Sequence, residues 1–120
     1  MTTALREGHT LLVFPEGTIE AGLAPGRFRL GAFAAAVQTG RPVLPVTVRG
    51  TRQVLPLGRW TLGRWPLCVT VHPPLLPRGS GWAETVRLAQ RTREVIAKEL
   101  AAPGSGALGV HGRREPHQCA

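Results

Sequence analysis

Leu11-Leu12-Val13-Phe14 runs straight into Pro15-Glu16-Gly17-Thr18, and this junction constrains the fold more than any other stretch of the chain. A short apolar run bounded by a turn signal reads as a buried strand, here over residues 10–14. Proline has no N–H to offer a ladder, so the strand stops at Pro15. A buried strand gains nothing from ending in a carboxylate, a glycine and a hydroxyl. The C-terminal ends of strands in α/β folds, however, are where ligands sit. Gly17 lets backbone approach closely or turn at positive φ, and successive N–H groups in such a turn form an anion nest. Glu16 can accept from hydroxyl groups, and Thr18 can donate or accept. The tetrad also reads as an ordinary turn carrying a solvated glutamate.

The remaining elements follow from spacing. Residues 2–8 read as a short helical entry and residues 15–27 as a Gly- and Pro-rich loop. A helix is expected over residues 30–39, where Leu30, Phe33, Ala34 and Val37 share a face and Gly40 with Arg41-Pro42 ends it. Its alanines (Ala32, Ala34, Ala35, Ala36) allow close approach to a sheet. Residues 43–48 read as a strand, although Pro45 inside it argues for an edge or a bulge. Residues 67–72 alternate with period two and stop at Pro73-Pro74. A long helix is expected from 81 to 100, with Ser80 as N-cap and Glu84 in the first turn, where negative charge suits the helix dipole. Trp82, Val86, Ala89, Ile96 and Leu100 form its apolar stripe, broken once by Arg93. Leu57-Gly58-Arg59-Trp60 recurs as Leu62-Gly63-Arg64-Trp65, a pattern that suits a hairpin packed on its indoles and also a lipid-headgroup interface. Residues 1–100 form the domain, and residues 101–120 read as a disordered tail.

Composition narrows the function. At 120 residues the chain is one small domain, burying about 65% of its unfolded surface. The net charge of +8 comes from fourteen arginines and one lysine against seven acids, which attracts polyanions such as nucleic acid, anionic headgroups or phosphorylated small molecules. The arginines are scattered singly, and no zinc-finger, helix-turn-helix or RNA-recognition spacing occurs, so nucleic acid is not the expected partner. Cys68 in a strand and Cys119 in the tail suggest no disulfide framework and a reducing compartment. His111, His117 and Cys119 are too loosely spaced for a metal site, and no metal or cofactor is expected. No stretch reads as a signal peptide or reaches the ~20 apolar residues of a spanning helix.

Phe14-Pro15-Glu16-Gly17-Thr18 resembles the acceptor-binding motif of the glycerophospholipid acyltransferases, the family of bacterial lysophosphatidate acyltransferase. Phe28-Arg29-Leu30-Gly31-Ala32-Phe33 is similar to that family's Phe-basic-x-Gly helix start. Pro42-Val43-Leu44-Pro45-Val46-Thr47-Val48-Arg49-Gly50 is similar to its Val-Pro-Val strand, and Val69-Thr70-Val71-His72-Pro73-Pro74-Leu75 to its closing strand. The segments occur in the family's order and cover roughly residues 4–100.

The resemblance implies an α/β fold: a partial mixed sheet of about three to five strands flanked by two main helices, the C-terminal part of an acyltransferase domain. It implies transfer of a fatty acyl group from acyl-CoA or acyl carrier protein, as co-substrate, to a lysophosphatidate-like acceptor. The substrate-binding candidates are Pro15, Glu16, Gly17, Thr18 and Arg29. Family members carry a His-x4-Asp element whose His takes the acceptor's proton. This chain has no aspartate, and none of His9, His72, His111 or His117 has an acid five positions on. It therefore reads as the acceptor-binding half, inactive alone, with the missing half supplied on another chain. Many members place Arg directly after the motif's Thr, where this chain has Ile19, so either Arg29, Arg27 or Arg49 replaces it as phosphate ligand or the acceptor differs from lysophosphatidate. The expected location is cytoplasmic, peripheral on the inner face of the membrane. A non-catalytic lipid-phosphate or partner-binding remnant is the alternative, and a small basic nucleic-acid-binding protein the second.

Overall fold

A computed structural model describes residues 1–17, 24–54 and 67–102. The repeated Leu-Gly-Arg-Trp segment, Thr18, Ile19 and the tail from residue 103 lie outside the described residues. Helix α1 spans Thr2–Arg6, α2 spans Gly31–Thr39, strand β1 spans Val46–Arg49, a short helix α3 spans Thr51–Val54, strand β2 spans Cys68–Val71 and helix α4 spans Gly81–Ala101.

The core is the seam between α2 and α4. Phe33, Ala36, Leu88 and Ala89 are buried together, with Leu88 fully enclosed. Small residues at 36 and 89 sit at this seam, so the alanine run, expected to lie against a sheet, packs on a helix instead. Phe28 stacks on Phe33 with ring centroids 6.1 Å apart, bringing the chain ahead of α2 onto the core. Helix α2 ends as its sequence requires. Gly40 adopts φ +66, its N–H meets the Val37 carbonyl, and the Arg41 N–H meets the Ala36 carbonyl, which closes a Schellman turn.

The face that α4 buries differs from the expected stripe. Glu84, Thr85, Leu88, Ala89 and Thr92 are buried, whereas Trp82 is 67% exposed. Thr85 and Thr92 go inside because their hydroxyls donate to the carbonyls of Gly81 and Leu88, four residues back. Glu84 goes inside because its carboxylate accepts the Arg78 N–H at 2.8 Å and lies 3.6 and 3.9 Å from the guanidinium groups of Arg87 and Arg91. Ser80 occupies the N-cap with extended backbone but makes no side-chain cap bond.

The α/β class holds, with a narrower sheet than expected. Among the described residues β1 and β2 form a two-stranded antiparallel ladder pairing Val46 with Val71 and Arg49 with Cys68. Pro45 explains why β1 starts at 46. Lacking an N–H it cannot donate, yet its carbonyl accepts the His72 N–H, and a separate bridge joins Val43 to Leu75 beyond it. The polar side of the ladder faces α4. Thr47 is buried and hydrogen-bonded to His72 Nε2 at 2.8 Å, and Thr70 donates to Glu99. Val46, Val48, Val69 and Val71 face outward and are exposed.

Two expectations are corrected here. Residues 10–14 are not a strand: no neighbouring strand among the described residues bonds to them, and Leu12 and Phe14 are 82% and 79% exposed. A strand satisfies its backbone only through a partner, so an apolar run without one stays irregular. Cys68 is disulfide-bonded, its partner lying outside the described residues, which removes the argument from unpaired cysteines to a reducing compartment.

Candidate functional site

Residues 14–17 turn sharply, the Gly17 N–H donating to the Phe14 carbonyl at 3.2 Å. Gly17 sits at φ +67, a region that side chains disfavour. A second reason for glycine is space: a Cβ there would lie 2.8 Å from Arg29 Cζ and 3.0 Å from its Cδ. The Arg29 side chain is thus laid directly over the turn. Two contacts put it there. The Arg29 N–H donates to the Pro15 carbonyl at 2.7 Å, and Phe28 is held inward against Phe33, which sends the next side chain outward. Among the described residues nothing pairs with the Arg29 guanidinium.

Glu16 is half-buried and does something the sequence did not suggest. Its Oε2 accepts the Gly26 N–H at 3.2 Å, tying the two ends of the intervening loop together. Gly26 and its neighbour are also held from α4. Arg93 Nε donates to the Pro25 and Gly26 carbonyls at 3.2 and 3.1 Å, and its Nη2 donates to the Pro25 carbonyl at 2.9 Å. The sequence signal for this was the one cation interrupting an apolar stripe.

The three cations proposed for the position of Ile19 separate cleanly. Arg29 lies at the turn. Arg27 is exposed and outside every described hydrogen bond and ion pair. Arg49 is committed elsewhere: its guanidinium donates to the Leu100 and Ala102 carbonyls and lies 3.9 Å from Glu99, closing the C-terminal end of α4. A cation is favourable at that helix end, so its role there is structural.

Pro15 and Glu16 stand at the margin of an open groove of about 1190 Å³, walled by apolar residues that include Leu11, Val13, Phe28, Val43 and Ile96. His9 also reaches this groove; it is exposed, with Nε2 3.7 Å from Glu7. His72 is engaged with Thr47. A guanidinium without a partner among the described residues, over a turn whose Pro15 and Glu16 line an apolar trough, can accommodate an anionic headgroup with a hydrocarbon tail.

Comparison with known proteins decides the relationship. A family model described as Acyltransferase matches residues 1–49. A chloroplastic 1-acyl-sn-glycerol-3-phosphate acyltransferase of Brassica napus is 36% identical over 72 residues, 59% of this chain and 21% of that protein. The 1-acyl-sn-glycerol-3-phosphate acyltransferase of Pseudomonas aeruginosa is 31% identical over 97 residues, 81% of this chain and 37% of that protein. The chain belongs to the glycerophospholipid acyltransferase family. The crystal structure of the 1-acyl-sn-glycerophosphate acyltransferase PlsC from Thermotoga maritima superposes with a TM-score of 0.71 at 34% identity. That match covers 88% of this chain and 44% of PlsC, so the chain spans under half the length of these acyltransferase relatives. Residues 1–49, which the family model matches, contain the Pro15-Glu16-Gly17 turn and Arg29.

Proposed function

We propose that this chain is the acceptor-binding half of an acyltransferase of phospholipid biosynthesis. It holds a lysophosphatidate-like acceptor while a fatty acyl group passes from acyl-CoA or acyl carrier protein to the acceptor's free hydroxyl. In that transfer the hydroxyl oxygen attacks the thioester carbonyl, the thiolate leaves, and the hydroxyl proton goes to a base. The observation that carries the reading is the Arg29 guanidinium lying over Gly17 without a partner among the described residues, at the turn whose Pro15 and Glu16 line the groove. Arginine meets a phosphate through two parallel N–H bonds, so one such residue can fix both place and orientation. In this reading the backbone of Gly17 closes on the headgroup, Pro15 stiffens the approach, and the acyl chain lies along the groove. The base belongs to a His-x4-Asp element outside residues 1–120. The site works at the inner face of the membrane, where exposed Leu12 and Phe14 suit the apolar layer and the neighbouring arginines suit phosphates.

Two measurements test this. Oleoyl-lysophosphatidate titrated into the full chain in dodecyl maltoside micelles binds, and Arg29→Ala weakens binding by about tenfold or more, the loss of one charge-assisted phosphate contact. Unchanged affinity removes the carrying observation. Thiol release from oleoyl-CoA in the presence of that acceptor stays at background for the chain alone, since loss of a general base costs ~10²–10⁴-fold. Release then appears on adding a polypeptide with the His-x4-Asp element. Binding that no such addition converts to turnover marks a non-catalytic lipid-phosphate protein instead.

A further inference from the structure

Arg93 stands out because α4 gains nothing by it. It interrupts the helix's apolar side, makes no ion pair among the described residues, and instead spans to backbone carbonyls 67 and 68 residues away. All its described bonds go to one place, the peptide groups of Pro25 and Gly26. The N–H of that same Gly26 is taken by Glu16. The residue is therefore gripped from both sides, its carbonyl by a cation on α4 and its N–H by a carboxylate on the glycine turn. Three residues further on, Arg29 bonds through its N–H to Pro15 and lies across Gly17.

We propose that Arg93 is a positioning residue for the anion site. Together with Glu16 it clamps Gly26, and the clamp holds residues 27–29 against the turn so that the Arg29 guanidinium faces the ligand's phosphate. A guanidinium suits the task because its planar fork reaches two carbonyls at once, which an ammonium on a similar stem does not match. The carboxylate of Glu16 is thereby assigned to the loop rather than to the phosphate, which removes the repulsion that a direct carboxylate–phosphate contact would bring. Ordering before binding lowers the entropy lost when ligand arrives, so the clamp acts on affinity for the phosphate and not on the groove.

This inference rests on the acceptor-site reading above, and the experiment separates the two. Oleoyl-lysophosphatidate and monooleoylglycerol, which share a tail and differ in the phosphate, are each titrated into the full chain in dodecyl maltoside micelles. Arg93→Gln is expected to weaken lysophosphatidate binding about tenfold while leaving monooleoylglycerol binding unchanged. Arg93→Lys, which keeps the charge but not the fork, falls between wild type and Arg93→Gln. Amide exchange at Gly26 accelerates in Arg93→Gln while exchange along α2 stays as in wild type. If Arg29→Ala abolishes the preference for the phosphate and Arg93→Gln does not reduce it, the positioning role is wrong and the acceptor site stands. If wild type shows no preference for the phosphorylated lipid, both fall. Equal losses for both lipids, or loss of the fold in both Arg93 variants, make Arg93 a stability residue and overturn the proposal.

Discussion

Residues 11–14 and the α2–α4 seam are similarly apolar in sequence, yet one lies open and the other is the core. Leu11-Leu12-Val13-Phe14 is a denser hydrophobic run than anything in α4, and two of its side chains are about four-fifths exposed. Helix α4 has a modest apolar content and buries two threonines and a glutamate, yet Leu88 at its centre is inaccessible. The difference lies in the backbone. A helix satisfies its own peptide groups and needs only one packing surface. A strand needs a neighbour for every peptide group as well as a cover for each face. Hydrophobicity therefore decided where burial was desirable, and hydrogen-bond self-sufficiency decided where it happened.

Substitutions in the two regions should diverge accordingly. Leu88→Ala, at the enclosed centre of the seam, is expected to destabilise the chain by about 2–5 kcal/mol in a denaturant titration. A smaller loss would mean that α2 and α4 do not form the cooperative core. Gly17→Ala should come next, costing more than ~1 kcal/mol because alanine is strained at positive φ, and because its Cβ would collide with Arg29. The same variant should lose lysophosphatidate binding, read by the micelle titration, whereas Gly31→Ala, where a Cβ meets nothing within 4 Å, should retain it. The smallest effect belongs to the open run: Leu12→Ser with Phe14→Ser should change stability by no more than ~0.5 kcal/mol and should raise the soluble fraction on centrifugation. A loss like that of Leu88→Ala would show that this run is covered in solution and would erase the contrast.

Much of the fold was legible before any coordinates. Both main helices, the glycine end of α2 and the strands near 46 and 68 follow from spacing and local chemistry. What misled was treating apolar side chains as sufficient. Trp82 was placed on the buried stripe and lies outside, because a threonine bonded to its own helix and a glutamate held by two arginines and an N–H are as easily buried. Among the described residues the sheet has two strands rather than three to five, because residues 11–14 find no strand partner there. Within the candidate site, the turn and the need for glycine at 17 could be argued from sequence, which left Arg27, Arg29 and Arg49 all open as possibilities for the cation. The engagement of Arg49 with the end of α4 could not, since it depends on a contact over fifty residues away.

By itself the sequence determined the kinship, the helices and the turn at residues 15–17, since these depend on residue type and short-range spacing. Only tertiary structure decided which arginine faces the turn, that Glu16 and Arg93 both hold Gly26, and that an apolar run stays uncovered. Each of those is a matter of which distant groups meet, and long-range partners decide whether a charge is spent on a carbonyl or left available to a ligand.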